Sequence, residues 1–187
     1  MGETFFISDT HFSHNNLISA EKYGYSMRPE FSCIEEMDER MVTRWNGVVS
    51  PKDTVYHLGD ITMNKRHLGF LDRLQGIKYL IMGNHDTYGY AKYQMYFANV
   101  YHLRSLPGEK ILMTHIPIHE QSIKAGWVNV HGHIHDQVIC KDGLMRTQAS
   151  MNQVGGEKHP RYINVCVEQI NYTPISIDVI REAVSKL

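Results

Sequence analysis

Ile77-Lys78-Tyr79-Leu80-Ile81-Met82 leads directly into Gly83-Asn84-His85-Asp86. The apolar run lies between Gly76 and Gly83 and has the length and composition of a buried strand. The polar cluster then falls just past a strand's carboxyl end, where open α/β sheets place their ligands. Asparagine can offer a metal its amide oxygen, histidine can move a proton, and aspartate can orient that histidine. Taken alone, Gly-Asn is ordinary turn chemistry. Four further stretches matter more, because each ends a strand-like run in side chains of the same kind.

Upstream, Thr4 to Ser8 reads as a first strand that delivers Asp9-Thr10-His11. A polar loop and a Tyr- and Pro-containing stretch follow, to Phe31. Ser32-Cys33-Ile34-Glu35 has the spacing of a capping box, and Ile34, Met37, Met41 and Trp45 share one helical face that Asn46-Gly47 should end. Thr54 to Leu58 is a second strand, ending in Gly59-Asp60. Lys65 to Leu74 and the Tyr-rich segment from Thr87 to Ala98 are predicted to be helical. Val100 to Leu103 and Lys110 to Thr114 are predicted to pair as a hairpin around Pro107-Gly108, the second strand leading into His115. Trp127 to Val130 is another strand, running into His131-Gly132-His133-Ile134-His135. Residues 136 to 161 are Gly-rich and weakly patterned. Tyr162 to Val167 and Ile175 to Ile177 read as late strands, and Asp178 as the cap of a terminal helix. Alternating strand and helix, then a strand-rich half, predicts an α/β protein with two packed sheets flanked by helices.

The 187 residues are expected to form one domain, residues 1–187, with ordinary apolar (42%) and charged (21%) content. A net charge of −1 gives no reason to expect duplex nucleic acid or an anionic membrane as partner. Three cysteines without a Cys-x-x-Cys indicate neither a disulfide framework nor a zinc ribbon. No signal peptide or membrane-length apolar run is visible, so a cytoplasmic location is expected. The unusual feature is twelve histidines.

Five strand ends therefore carry Asp9-x-His11, Asp60, Asn84-His85-Asp86, His115 and His133-x-His135. Mixed carboxylate, amide and imidazole donors suit Mn, Fe, Zn, Co or Ni rather than Mg or Ca. Seven candidate ligands exceed one tetrahedral ion and suit two ions sharing a carboxylate. Any one motif has a dull reading, since a lone Asp at a strand–helix turn is usually a cap. Caps have no reason to bring histidines to five strand ends.

This ordered set resembles the calcineurin-like metallophosphoesterase superfamily, whose motifs are D-x-H, G-D, G-N-H-D/E, H and G-H-x-H. Within it the chain looks closest to the small stand-alone phosphoesterases of bacteria and phages. The resemblance implies a four-layer α/β/β/α sandwich with two packed mixed β-sheets. It implies two divalent transition-metal ions, manganese first among Mn, Fe, Zn, Ni and Co. One ion would take Asp9, His11 and His135, the other Asn84, His115 and His133, with Asp60 bridging. The activity implied is hydrolysis of a small phosphate ester, a nucleotide among the candidates, by a metal-bridging hydroxide. His85 would be the general acid, with Asp86 holding its imidazole. A diester is the expected substrate; a phosphomonoesterase or nucleotide pyrophosphohydrolase is the alternative, and a non-catalytic protein-binding module on the same fold is the reading from another class. Asp60 is followed by Ile61-Thr62-Met63-Asn64 instead of x-x-Asp-Arg-Gly, and position 86 is Asp, which disfavours a protein Ser/Thr phosphatase.

His14 and Arg28 are weaker substrate-binding candidates, against a plain loop histidine and a surface salt bridge respectively. His57 and His131, on strands, are expected to be hydrogen-bonded core or supporting residues. Cys166 reads as a small buried hydrophobe rather than a nucleophile.

Overall fold

The computed structural model describes residues 2–21 and 24–187; Met1, Lys22 and Tyr23, the last two within the Tyr- and Pro-containing stretch, lie outside it. Strands β1 (Thr4–Ile7), β2 (Thr54–His57), β3 (Ile77–Ile81) and β4 (Asn99–Tyr101) run parallel, and β11 (Ile175–Ser176) lies antiparallel on the β1 edge, giving the order β11-β1-β2-β3-β4. The second sheet has the order β10-β7-β6-β5, formed by Tyr162–Asn164, Val128–His131, Ile111–Thr114 and Leu103–Leu106. Its β10, β7 and β6 are parallel and β5 is antiparallel, so both sheets are mixed. The two-sheet α/β architecture expected from the sequence is the one observed.

Period-two alternation divides the strand residues between two cores. Phe6, Tyr56, Leu58 and Ile81 of the first sheet meet Ile111, Met113, Val128 and Val130 of the second in the intersheet core. Phe5, Ile7, Val55 and Leu80 point the other way, onto Met37, Met41, Val42 and Trp45 of helix α1 (Ile34–Val48) and onto Leu68 and Leu71. The outer face of the second sheet carries Asn129 between inward Val128 and Val130. Its amide accepts from the Ile118 backbone N–H and donates to Thr114 Oγ1, which holds the loop leading to the 3-10 turn at Glu120–Ser122 against that face.

Several boundaries differ from expectation, each for a local reason. Ser32 donates its N–H and hydroxyl to Glu36 rather than Glu35, helix α1 begins at Ile34, and it runs through Asn46-Gly47 to Val48. Lys65–Arg73 is a 3-10 helix capped by Asn64, and the Tyr-rich segment forms only α2 (Tyr90–Tyr93) before Ala98 N–H returns to Lys78 O. The predicted hairpin is shifted. Leu103–Leu106 pairs with Ile111–Thr114, whereas Asn99–Tyr101 completes the first sheet, so the chain changes sheets at His102. Residues 136–161 hold a hairpin, β8 (Gln137–Ile139) with β9 (Met145–Thr147), and helix α3 (Gln148–Gln153), around a core of only Val138, Cys140 and Met151. The terminal helix α4 (Ile177–Ser185) has Ser176 at its cap and Asp178 in its first turn.

His57 is fully buried, stacked on Trp45, and its hydrogen bonds fix the neutral ring. Gly59 N–H donates to Nδ1, so Nε2–H faces Thr10 Oγ1, whose hydroxyl donates to Ile61 O. Burial pushes this imidazole down to about 3. An unfolded histidine takes up its proton near 6.5, so between about 6.5 and 3 the unfolded chain holds the extra proton and stability falls as pH falls. In metal-free protein, His57→Gln should flatten the acid limb of stability against pH by about 1.4 kcal/mol per pH unit. Urea unfolding from pH 6.5 to 5 measures it, and parallel curves for the two proteins would refute the assignment.

Candidate metal centre

All the site residues leave the carboxyl ends of parallel strands. Asp9 and His11 follow β1, Asp60 follows β2, Asn84 and His85 follow β3, His115 follows β6, and His133 and His135 follow β7. Beyond Ile7 the first strand crosses to the other sheet, Ser8 bridging to Cys166, which locks the two sheets together beneath these loops. Past β10, Val165 N–H still donates to His131 O, Val167 N–H donates to Ser8 O, and Asn164 Oδ1 accepts from Cys166 N–H.

The backbone is bent to aim these side chains. Asp9 (φ 57°), His11 (46°), Asp60 (57°), His133 (71°) and His135 (47°) are all left-handed. For residues with a Cβ that conformation costs about 1–2 kcal/mol each, and it concentrates at functional sites. Two glycines permit the crowding. A Cβ on Gly83 would stand 2.2 Å from Asp60 Oδ1, and one on Gly132 would stand 2.3 Å from Asp9 Oδ2.

Two clusters of donors result, Asp9–His11–His135 and Asp60–His115–His133. Asp60 Oδ2 lies between them, 3.7 Å from His11 Nε2 and 3.4 Å from His115 Nε2. Asn84 Oδ1 is 3.0 Å from His115 Nε2, which brings the amide to the second cluster. Asp9 Oδ2 accepts from His133 N–H and lies 3.1 Å from the Cys166 thiol. Its Oδ1 is buried without a hydrogen-bond partner among the described residues, 3.8 Å from His11 Nε2 and 3.9 Å from His135 Nε2. A buried carboxylate oxygen facing two ring nitrogens is a costly vacancy for a hydrogen bond and a fitting seat for a cation. The donor set fits divalent first-row ions.

Tautomers agree with that fit. His115 Nδ1 is 2.7 Å from Leu58 O, a pure acceptor, so Nδ1 carries the proton and Nε2 faces Asp60. His135 Nδ1 likewise donates to Glu168 at 3.0 Å, leaving Nε2 towards Asp9. Burial, with Arg28 nearby, holds His11 well below the ordinary histidine range, so it is neutral. Burial would lower His115 too, but its hydrogen bond to Asp60 and the charges of Asp9 and Asp60 raise it to about 9, so without metal Nε2 also holds a proton, one that a bound ion would displace. Burial raises Asp60 less than His115 and His11 depress it, and the carboxylate stays ionised.

The remaining candidates divide. His85 donates its backbone N–H to Asp60 Oδ1 at 2.9 Å, and its ring, 42% exposed, reaches within 3.9 Å of Asp60 Oδ2. His14 lies next to the site, its ring 5.6 Å from that of His11. Asp86 departs from the expectation: its oxygens accept from the backbone N–H groups of Asp60, Gly83 and Ile61, and it fixes the two loops rather than the His85 ring. Arg28 is neither a substrate ligand nor a surface residue. It is fully buried, donating to Asp9 O, Thr10 O and Glu168 behind the metal loops.

Glu168 is the residue sequence reasoning passed over. Burial would raise its carboxyl, but Arg28 and His135 hold it down at about 2. The available signal was a carboxylate ending the apolar run Val165-Cys166-Val167, the same strand-end pattern as the ligands. Glu168→Gln should weaken the ion at Asp9–His11–His135 by about 10–100-fold. It should also lower stability by about 3 kcal/mol by leaving Arg28 buried and unpaired. Two-site metal titration is the check; equal weakening of both ions would reduce Glu168 to a folding role.

A family profile described as calcineurin-like phosphoesterase matches residues 4–175. An uncharacterized protein of Methanocaldococcus jannaschii is 34% identical, the alignment covering 100% of this chain and 93% of that protein. The gene 66 protein of Mycobacterium phage L5 is 37% identical over 46% of this chain and 41% of its own length. A solved structure from Aquifex aeolicus, of a protein of unknown function, superposes with a TM-score of 0.67 at 29% identity, covering 97% of this chain and 99% of that one. With its strand-end ligand clusters in place and the profile matched across both sheets, this chain belongs to the calcineurin-like phosphoesterase family.

Proposed function

We propose that the protein is a dinuclear-metal-dependent phosphodiesterase. The observation that carries this reading is the position of Asp60 Oδ2, within 4 Å of ring nitrogens from both ligand clusters and of the exposed His85 imidazole. Asp9, His11 and His135 would hold one ion, Asn84, His115 and His133 the other, and Asp60 both. Two divalent ions, manganese first among the candidates, would supply Lewis acidity and water with a pKa near ~7. Two buried carboxylates leave such a site net positive, which favours a phosphate ester and the charge developing on it.

His85 is placed to donate a proton to the leaving oxygen. Its backbone is anchored to Asp60 while its ring stays open to solvent, so the ring can meet a substrate without leaving the centre. The alkoxide expelled from an alkyl phosphate ester takes up such a proton, and the preference for a diester over a monoester rests on analogy with the family in a chain this small. Among the described residues no helix is long and apolar enough to cross a membrane. The free Cys33, Cys140 and Cys166 suit a reducing compartment, and we place the activity in the cytoplasm.

On metal-stripped protein with Mn²⁺ restored, bis-p-nitrophenyl phosphate should turn over well above p-nitrophenyl phosphate. Monoester preference would overturn the diester assignment, and silence on both with two ions bound would point to a non-catalytic role.

A further inference from the structure

A cavity of about 850 Å³ opens beside the metal centre, with His135 of one ligand cluster and His133 of the other on its wall. A phosphate held between the clusters would therefore direct one ester group into it. Its size is that of a site for a drug-sized molecule, far beyond the needs of a phosphate. Ile116, Ile118, Ile139 and Met145 give it apolar walls. Tyr162 adds an aromatic surface, packed edge-on against His159 at 5.0 Å between centroids. The Tyr162 hydroxyl is already used by Ile118 O, so the ring is held in place. Gln121 and Gln137 bring amides that can pair with the edge of a planar heterocycle.

The charges that the described residues bring to the wall oppose a polyphosphate. Among the described residues lining the cavity, Lys141 is the one permanent cation, and its ammonium is paired with Glu157. His159 faces Glu120 at 3.3 Å, and Glu120 and Asp136 add negative charge. A second or third phosphate would find carboxylates and no free arginine fork.

We propose that this cavity seats the nucleoside of a nucleoside monophosphate ester and has no place for a second phosphate. The inference rests on the reading of the centre as a phosphoesterase site, and it is tested by binding so that the two can fail separately. Isoleucine-methyl NMR on protein loaded with diamagnetic Zn²⁺ compares AMP, ADP and methyl phosphate. AMP should bind at least about tenfold tighter than methyl phosphate, move the Ile118 and Ile139 methyls, and bind no more weakly than ADP. Met145→Trp, at a position 55% exposed and outside both ligand clusters, should bring the AMP to methyl phosphate affinity ratio towards one. Equal affinities for AMP and methyl phosphate, unmoved Ile118 and Ile139 methyls, or ADP binding tenfold tighter than AMP would each overturn the proposal. Failure of bis-p-nitrophenyl phosphate hydrolysis would instead strike the proposed function.

Discussion

Asp60→Asn should strip both ions together and cut diester turnover by about a thousandfold or more. Asn is isosteric, so its Oδ1 can still accept the His85 N–H that now bonds at 2.9 Å. The change falls on Oδ2, the atom shared by His11, at 3.7 Å, and His115, at 3.4 Å. Replacing a carboxylate with an amide there removes one full negative charge from both cation seats at once. Loss of about 4 kcal/mol of charge stabilisation, the scale of a metal's contribution, corresponds to about a thousandfold in rate. Metal analysis after dialysis, beside thermal unfolding of the metal-free proteins, separates this from misfolding. Loss of one ion with the other retained would defeat the shared role of Asp60.

His85→Ala should behave in the opposite way, keeping both ions and losing rate. The imidazole belongs to neither ligand cluster, and its anchoring to Asp60 is through the backbone, which alanine preserves. General acids contribute about 10²–10⁴-fold, and that contribution matters where the leaving group is a poor one. Turnover of an alkyl diester should therefore fall across that range, whereas p-nitrophenolate, which leaves without a proton, should be spared most of the loss. Equal losses on the two leaving groups, or loss of metal, would remove His85 from proton transfer.

Much of this site was legible because strand ends repeat a pattern. An apolar run of four or five residues followed by Asp, Asn or His marked both the β-strand and the candidate ligand at its end, and parallel pairing within each sheet brought those ends together. What stayed hidden has physical causes. Arg28 looked like a surface residue because a cation is usually solvated. Its burial depends on Glu168, 140 residues away, and on two carbonyls no pattern can announce. Asp86 was expected to serve its sequence neighbour His85, yet the left-handed turn at Asp60 presents it with backbone N–H groups. The 136–161 segment gave no period because its strands are three residues long and its core has three side chains. The hairpin was misplaced because only His102 separates Asn99–Tyr101 from Leu103–Leu106, with no glycine or proline to mark the point where the tertiary fold divides them between two sheets.

On the proposed mechanism, two ions act together on one ester. Stepwise addition of Mn²⁺ to metal-free protein, with bis-p-nitrophenyl phosphate turnover followed against bound equivalents, tests it most directly. Turnover should stay low through the first equivalent and rise with the second. Full turnover at one bound ion, or turnover that ignores bound metal, would contradict the account.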